Sequence, residues 1–242
     1  MERKEDRYKI SFWHRLPFGG NVHGRSITVV LFLSFMSLLT LNMYADRKPE
    51  IVCFGDSITF GAKVDGHSWV YFLSKANPGL QFINEGRNGR KTSDREEIVP
   101  VLQKYTGADC FMIFLGVNDL KDGNDSMVNQ CIANIRWMVD KVREKCGQAK
   151  IVILSPAGIN PKTMSDENIK KKYNDNTERA LSLLDKKYKD LSNQDSLGFV
   201  SLINAVSQEN YVDGLHPNEA GQQQIAGEVW KGIKKLINAA SS

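Results

Sequence analysis

A three-layer α/β/α sandwich on a five-stranded parallel sheet is predicted by three observations. From residue 50 onward, short apolar runs alternate with stretches whose apolar residues recur every three or four positions. The runs have strand length and are rich in β-branched and aromatic residues, as strands covered on both faces are. The composition, 41% apolar and 25% charged over 242 residues, is that of an ordinary globular protein. It excludes a collagen, a disordered tail and a disulfide scaffold.

The strands are expected at Ile51–Phe54, Leu80–Ile83, Cys110–Leu115, Ile151–Leu154 and Phe199–Ile203. Three helices stand out between and after them. Ser126 to Cys146 carries Val128, Cys131, Ile135, Met138, Val142 and Cys146 on one stripe, with Gly147 as a stop signal. Tyr173, Thr177, Leu181, Leu184 and Tyr188 mark a second helix. Ile225, Val229, Ile233 and Leu236 mark the last, with Pro217 expected to open it. Strands alternating with helices make βαβ units, and hence a sheet covered on both sides. The lysine groups at 170–172 and 186–189 read as solvated helix faces.

The cysteines do not pair in this scheme. Cys53 and Cys110 fall in strands, and Cys131 and Cys146 share a helix. Fifteen helical residues span about 22 Å, whereas a bridge needs Cα atoms within about 7 Å. The reading is four small buried hydrophobes.

Residues 1–45 form a separate segment before the domain at 46–242. Ser26 to Ala45 holds no charge, and six Lys/Arg precede it. This reads as a signal peptide or an uncleaved membrane signal anchor, with residues 26–45 in the membrane and the basic end in the cytoplasm. The body would then be exported, periplasmic or extracellular, or held at the membrane. Net charge is +4, but residues 1–45 carry three Asp/Glu against those six basic residues. That leaves 26 basic against 25 acidic residues in the body, which lacks the basic excess of a nucleic-acid binder.

In open parallel sheets ligands bind beyond the carboxyl ends of the strands, so the loops there matter most. They read Gly55-Asp56-Ser57-Ile58-Thr59, Glu85-Gly86-Arg87-Asn88-Gly89-Arg90, Gly116-Val117-Asn118-Asp119 and Asp213-Gly214-Leu215-His216-Pro217. Together they offer what acyl transfer needs. Ser57 would be the nucleophile, which requires an adjacent base. His216 is the candidate base, because His14 and His23 precede the apolar segment and His67 lies at the start of the next helix. Asp213, three residues before His216, can hold one ring nitrogen while the other faces the serine. An oxyanion could be met by the backbone N–H of Ser57, the N–H of Gly89 and the side-chain amide of Asn118. Ser155 to Lys162 is expected to form one wall. Arg87, Arg90 and Lys91 flank Gly89, where they could attract an anionic substrate or pair with nearby carboxylates.

Taken in order, these blocks resemble the SGNH hydrolases, or GDSL-type esterases. Phe54-Gly-Asp-Ser57-Ile-Thr stands for the first block and Gly89 for the second. Gly116-Val-Asn118-Asp119 is the third and Asp213-Gly-Leu-His216-Pro the fifth. Ile58 replaces the leucine of the family name. The resemblance spans about residues 50–238 and implies a flavodoxin-like sheet in the order 2-1-3-4-5. It also implies catalytic Ser57, Asp213 and His216, an oxyanion hole of Ser57, Gly89 and Asn118, no metal and no cofactor. The implied substrate is a small-molecule or glycan ester with a short acyl group, such as an acetyl group on a glycan or an aryl ester. Lysophospholipase or thioesterase members share the spacing. A non-catalytic glycan-binding domain on the same fold would not need Ser57, Asp213 and His216 intact. A nucleotide binder would want a phosphate loop after the first strand, and Asp56 there repels phosphate.

Overall fold

The computed structural model describes residues 47–238. The apolar segment at 26–45 and its predicted role lie outside the described residues. Five parallel strands pair in the order β2-β1-β3-β4-β5: β1 Glu50–Gly55, β2 Gln81–Gly86, β3 Cys110–Phe114, β4 Lys150–Leu154 and β5 Gly198–Val200. The order and the parallel sense are those expected. The helices are α1 Ser57–Phe60, α2 Trp69–Ala76, α3 Ile98–Lys104, α4 Asp125–Lys145, α5 Asp166–Lys170, α6 Asp175–Gln194 and α7 Glu219–Asn238.

Alternate strand residues face opposite layers because side chains of a strand alternate with period two. Val52, Phe54, Phe111, Ile113, Ile151 and Ile153 pack against buried residues of α3, α4 and α6. Ile51, Cys53, Cys110, Met112, Val152 and Leu154 pack against α2 and α7. The three layers follow directly, and the two faces explain why β1, β3 and β4 carry no polar alternation.

Three boundaries bear most on the site. β2 continues to Gly86, beyond the apolar run, because Asn84, Glu85 and Gly86 pair in register with Cys53, Phe54 and Gly55. β5 is only three residues long and pairs on one side alone. Pro217 does not open the last helix. It forms an isolated bridge with Tyr211, and Asn218 follows, accepting from the Gly221 N–H at 2.9 Å as a cap does. All four cysteines are free and buried. Among the described residues no helix is long and apolar enough to cross a membrane.

Candidate active site

The strand ends bring the predicted residues together. β1 stops at Gly55, and Asp56 caps the four-residue helix α1 by accepting from the Ile58 N–H at 2.9 Å. Ser57 is therefore the first residue of a helix, where the N–H has no intrahelical acceptor. The approach of α1 to the sheet needs two glycines. A Cβ on Gly55 would lie 2.1 Å from Thr59 Oγ1, and one on Gly86 would lie 2.2 Å from the Phe60 nitrogen.

Asp213 and His216 share a tight turn. The Asp213 carboxylate accepts from the backbone N–H of Leu215 at 3.1 Å and of His216 at 2.8 Å. It also meets His216 Nδ1 at 2.9 and 3.1 Å. Gly214 sits at φ +76°, and a Cβ there would fall 2.7 Å from the Asn160 carbonyl oxygen. The turn is braced from outside. Asn160 N–H donates to the Gly214 carbonyl at 2.7 Å, and Ser165 N–H and Asn168 Nδ2 both donate to that of Asp213. Burial works against ionisation of Asp213. The hydrogen bonds from the His216 ring and the two backbone N–H groups outweigh it and hold the carboxyl below the usual range.

Ser57 Oγ lies 3.1 Å from His216 Nε2, across 159 residues of sequence. A hydroxyl bonded to an imidazole whose other nitrogen meets a carboxylate can lose its proton to that ring as it attacks an electrophile.

Gly89 and Asn118 line the same cleft as Ser57 and His216. Gly89 takes φ +74°, which favours glycine. The Asn118 amide is fixed at both ends: Nδ2 donates to the Arg90 carbonyl at 3.1 Å, and Oδ1 accepts from the Tyr173 hydroxyl at 2.9 Å. Asn118 Nδ2 has a second hydrogen to donate. Beside it Asp119 is buried, accepting from the Thr92 N–H at 3.0 Å and the Thr92 hydroxyl at 2.6 Å. Asn134 Nδ2 donates to that hydroxyl in turn. This chain ties the β3 loop to the loop that follows β2.

Two of the three charges that flank Gly89 are internal partners, while Lys91 forms no ion pair among the described residues. Arg87 pairs with Asp94 and Glu97. Arg90 is buried: it donates to the carbonyls of Gly55 and Glu85, pairs with Glu97 and stacks 4.0 Å over the Phe54 ring. The possibility that Arg90 attracts substrate is therefore not realised. The segment Ser155–Lys162 does not line the cleft either. It supports the Asp213 turn from behind. The wall comes instead from Asn168, Lys171 and Tyr173, with Lys121 and Lys63 beside them.

The apolar spacing places Tyr173 at the first position of a helical core stripe. It precedes α6, and burial pushes its hydroxyl up, with Asp56, Asp119 and Asp213 adding to the effect. No local pattern marks it as a partner of Asn118, 55 residues away. The cleft holds about 360 Å³, at the small end of ligand sites. Among the described residues no three His, Cys, Asp or Glu are grouped to hold a metal ion.

Residues 53–224 match the GDSL-like Lipase/Acylhydrolase family. No curated protein matches the chain. Solved structures share its fold. The inhibitor-bound aryl esterase of M. smegmatis superposes with a TM-score of 0.68 at 21% identity, covering 78% of this chain and 99% of that one. A carbohydrate acetylesterase family member from Sinorhizobium meliloti gives 0.65 at 22% identity, covering 79% and 98%. The lipase/acylhydrolase from Enterococcus faecalis gives 0.58 at 18% identity, covering 77% and 96%. The family match runs from the second half of β1 through the other four strands to beyond the Asp213–His216 turn, and the chain belongs to the GDSL-like lipase/acylhydrolase family of ester hydrolases.

Proposed function

We propose that this protein is a serine esterase that removes short acyl groups, acetyl above all, through a Ser57–His216–Asp213 triad. The observation that carries the reading is the unbroken run of contacts from Ser57 Oγ to His216 Nε2 and from His216 Nδ1 to Asp213. His216 takes the Ser57 proton as the oxygen attacks the ester carbonyl. Asp213 holds the ring tautomer and stabilises the imidazolium. The tetrahedral oxyanion is met by the N–H groups of Ser57 and Gly89 and by Asn118 Nδ2. His216 then protonates the leaving alcohol, and water repeats the sequence on the acyl-enzyme.

The small cleft supports a short acyl group. The aryl esterase and carbohydrate acetylesterase of the same fold make aryl and glycan esters the first substrates to try. The test is turnover of p-nitrophenyl acetate, butyrate and octanoate by the full chain, with Ser57→Ala beside it. Acetate should be fastest, and Ser57→Ala should lower kcat by about 10⁴-fold or more. Asn118→Ala should lower kcat by about 10²-fold with little change in KM. Turnover that survives Ser57→Ala would exclude the serine mechanism, and octanoate outrunning acetate would exclude the short acyl group.

A further inference from the structure

The cleft that holds Ser57 is cationic. Three of the residues lining it are lysines, and none is Asp or Glu. The lysines come from separate segments. Lys63 follows α1, Lys121 follows the Asn118 loop, and Lys171 caps the C-terminus of α5. Lys171 pairs with Glu167 at 2.5 Å, so that charge is partly spent. Lys63 and Lys121 form no ion pair among the described residues.

Lys121 is the telling one. It is half-buried, and its ammonium lies 5.3 Å over the Tyr173 ring, the ring whose hydroxyl holds Asn118. Its charged neighbours are chiefly of its own sign. Burial lowers its pKa, the charges of Lys91 and Lys171 lower it further, and only Asp119, already bonded to Thr92, opposes them. Glu167 offsets Lys171 and acts on Lys63 as well, and Asp119 is taken up by Thr92, so Lys121 is the least compensated charge of the three. A half-buried cation of that kind beside a small cleft favours a bound anion.

We propose that the substrate is a short-acyl ester carrying its own negative charge, which Lys121 binds with help from Lys63 and Lys171. This rests on the esterase reading above. The cleft is too small to hold a distant charge, so the anion and the scissile carbonyl belong to the same small molecule or the same sugar residue. The charge can sit in the alcohol, as in an acetylated acidic sugar or acetoxybenzoate. It can equally sit in the acyl part, as in a succinate half-ester.

Two ester pairs separate these sources. One pair is 4-acetoxybenzoate against its methyl ester. The other is monophenyl succinate against methyl phenyl succinate. The readout is the ratio of kcat/KM, anionic over neutral, each divided by that ester's rate with hydroxide. One pair should give a ratio of about tenfold, the product of two or three weak surface pairs, and the pair that does so identifies where the charge sits. Lys121→Gln should reduce that ratio several-fold, and Lys63→Gln and Lys171→Gln less. Raising salt from 0.1 to 1 M should do the same without any substitution, because the Debye length falls from about 10 to about 3 Å. Ratios of one or below in both pairs, with the neutral esters turned over, overturn the inference and leave the esterase standing. A preference that survives both Lys121→Gln and high salt overturns it too. Turnover of no ester sinks the esterase reading and this one with it.

Discussion

Asp56 is a buried carboxyl beside the reacting hydroxyl, and its cost to the fold changes with pH. It is 1% exposed and accepts one hydrogen bond, from the Ile58 N–H. Burial pushes its pKa up to about 7, against the pull of that hydrogen bond and of the His216 and Arg90 charges. In the unfolded chain it would titrate near about 4. Between those values the native state keeps a proton that the unfolded state has released, so stability from this group falls as pH rises through the window. Above about pH 7 the full cost is present, at most about 4 kcal/mol. Asp213 runs the other way, stabilising above its unfolded pKa and losing that contribution as pH falls. Asn at position 56 can still cap α1 but carries no charge. Asp56→Asn should therefore melt several degrees above the native protein at pH 8, with the gain shrinking to nothing by about pH 4. A melting-temperature series across that range checks it; a gain independent of pH would point to packing rather than ionisation.

Helix α1 is positioned by what is missing from the strands beneath it. A side chain at Gly86 would collide with the Phe60 backbone, at 2.2 Å from the nitrogen and 2.7 Å from Cα. Backbone cannot rotate away as the end of a long side chain can, so the helix must move. Gly86→Ala should separate Ser57 Oγ from His216 Nε2 and lower kcat on p-nitrophenyl acetate by more than about tenfold, since small misplacements of reacting groups are costly. Gly227→Ala is the matched control. It lies on α7 with open space around it, so activity should hold while the helix gains about 0.5–1 kcal/mol. Equal activity in both variants would mean that α1 is not held by its contact with β2. The same contact explains a boundary that the apolar pattern missed. Asn84, Glu85 and Gly86 do not look like a strand, yet they pair with β1, and Asn84 Nδ2 donates to the Thr59 carbonyl at 2.7 Å. Edge strands need not be apolar throughout, because one side of the ladder meets solvent.

What could be read along the chain was set by local chemistry, and what could not depends on distant partners. The strands buried on both faces announced themselves as apolar runs, and the segments that follow the strands carry Ser57, Gly89, Asn118 and His216 into one cleft, with Asp213 behind His216. Tyr173, Lys121 and the bracing by Asn160 were invisible, because each acts on a residue more than fifty positions away or on a wall assembled from several segments. For Arg90 the sequence leaves two readings open, and the structure realises the pairing with a carboxylate, Glu97; its other partners are carbonyls that no sequence pattern displays. The segment at 26–45 stands apart by composition, and the export expected from it concerns the whole chain. Twenty uncharged residues behind six basic ones would direct residues 46–242 across a membrane with the basic end left in the cytoplasm. Such a domain would meet its esters outside the cytoplasm. Expressed from Met1, the chain should be found either in the soluble exported fraction, lighter by about the mass of residues 1–45, or in the membrane fraction at full mass. In both cases protease added to cells whose outer envelope has been opened, with the cytoplasmic membrane intact, should reach the domain. Full-length protein in the cytosol, sheltered from that protease, would refute export, and the ester would then have to be sought inside the cell.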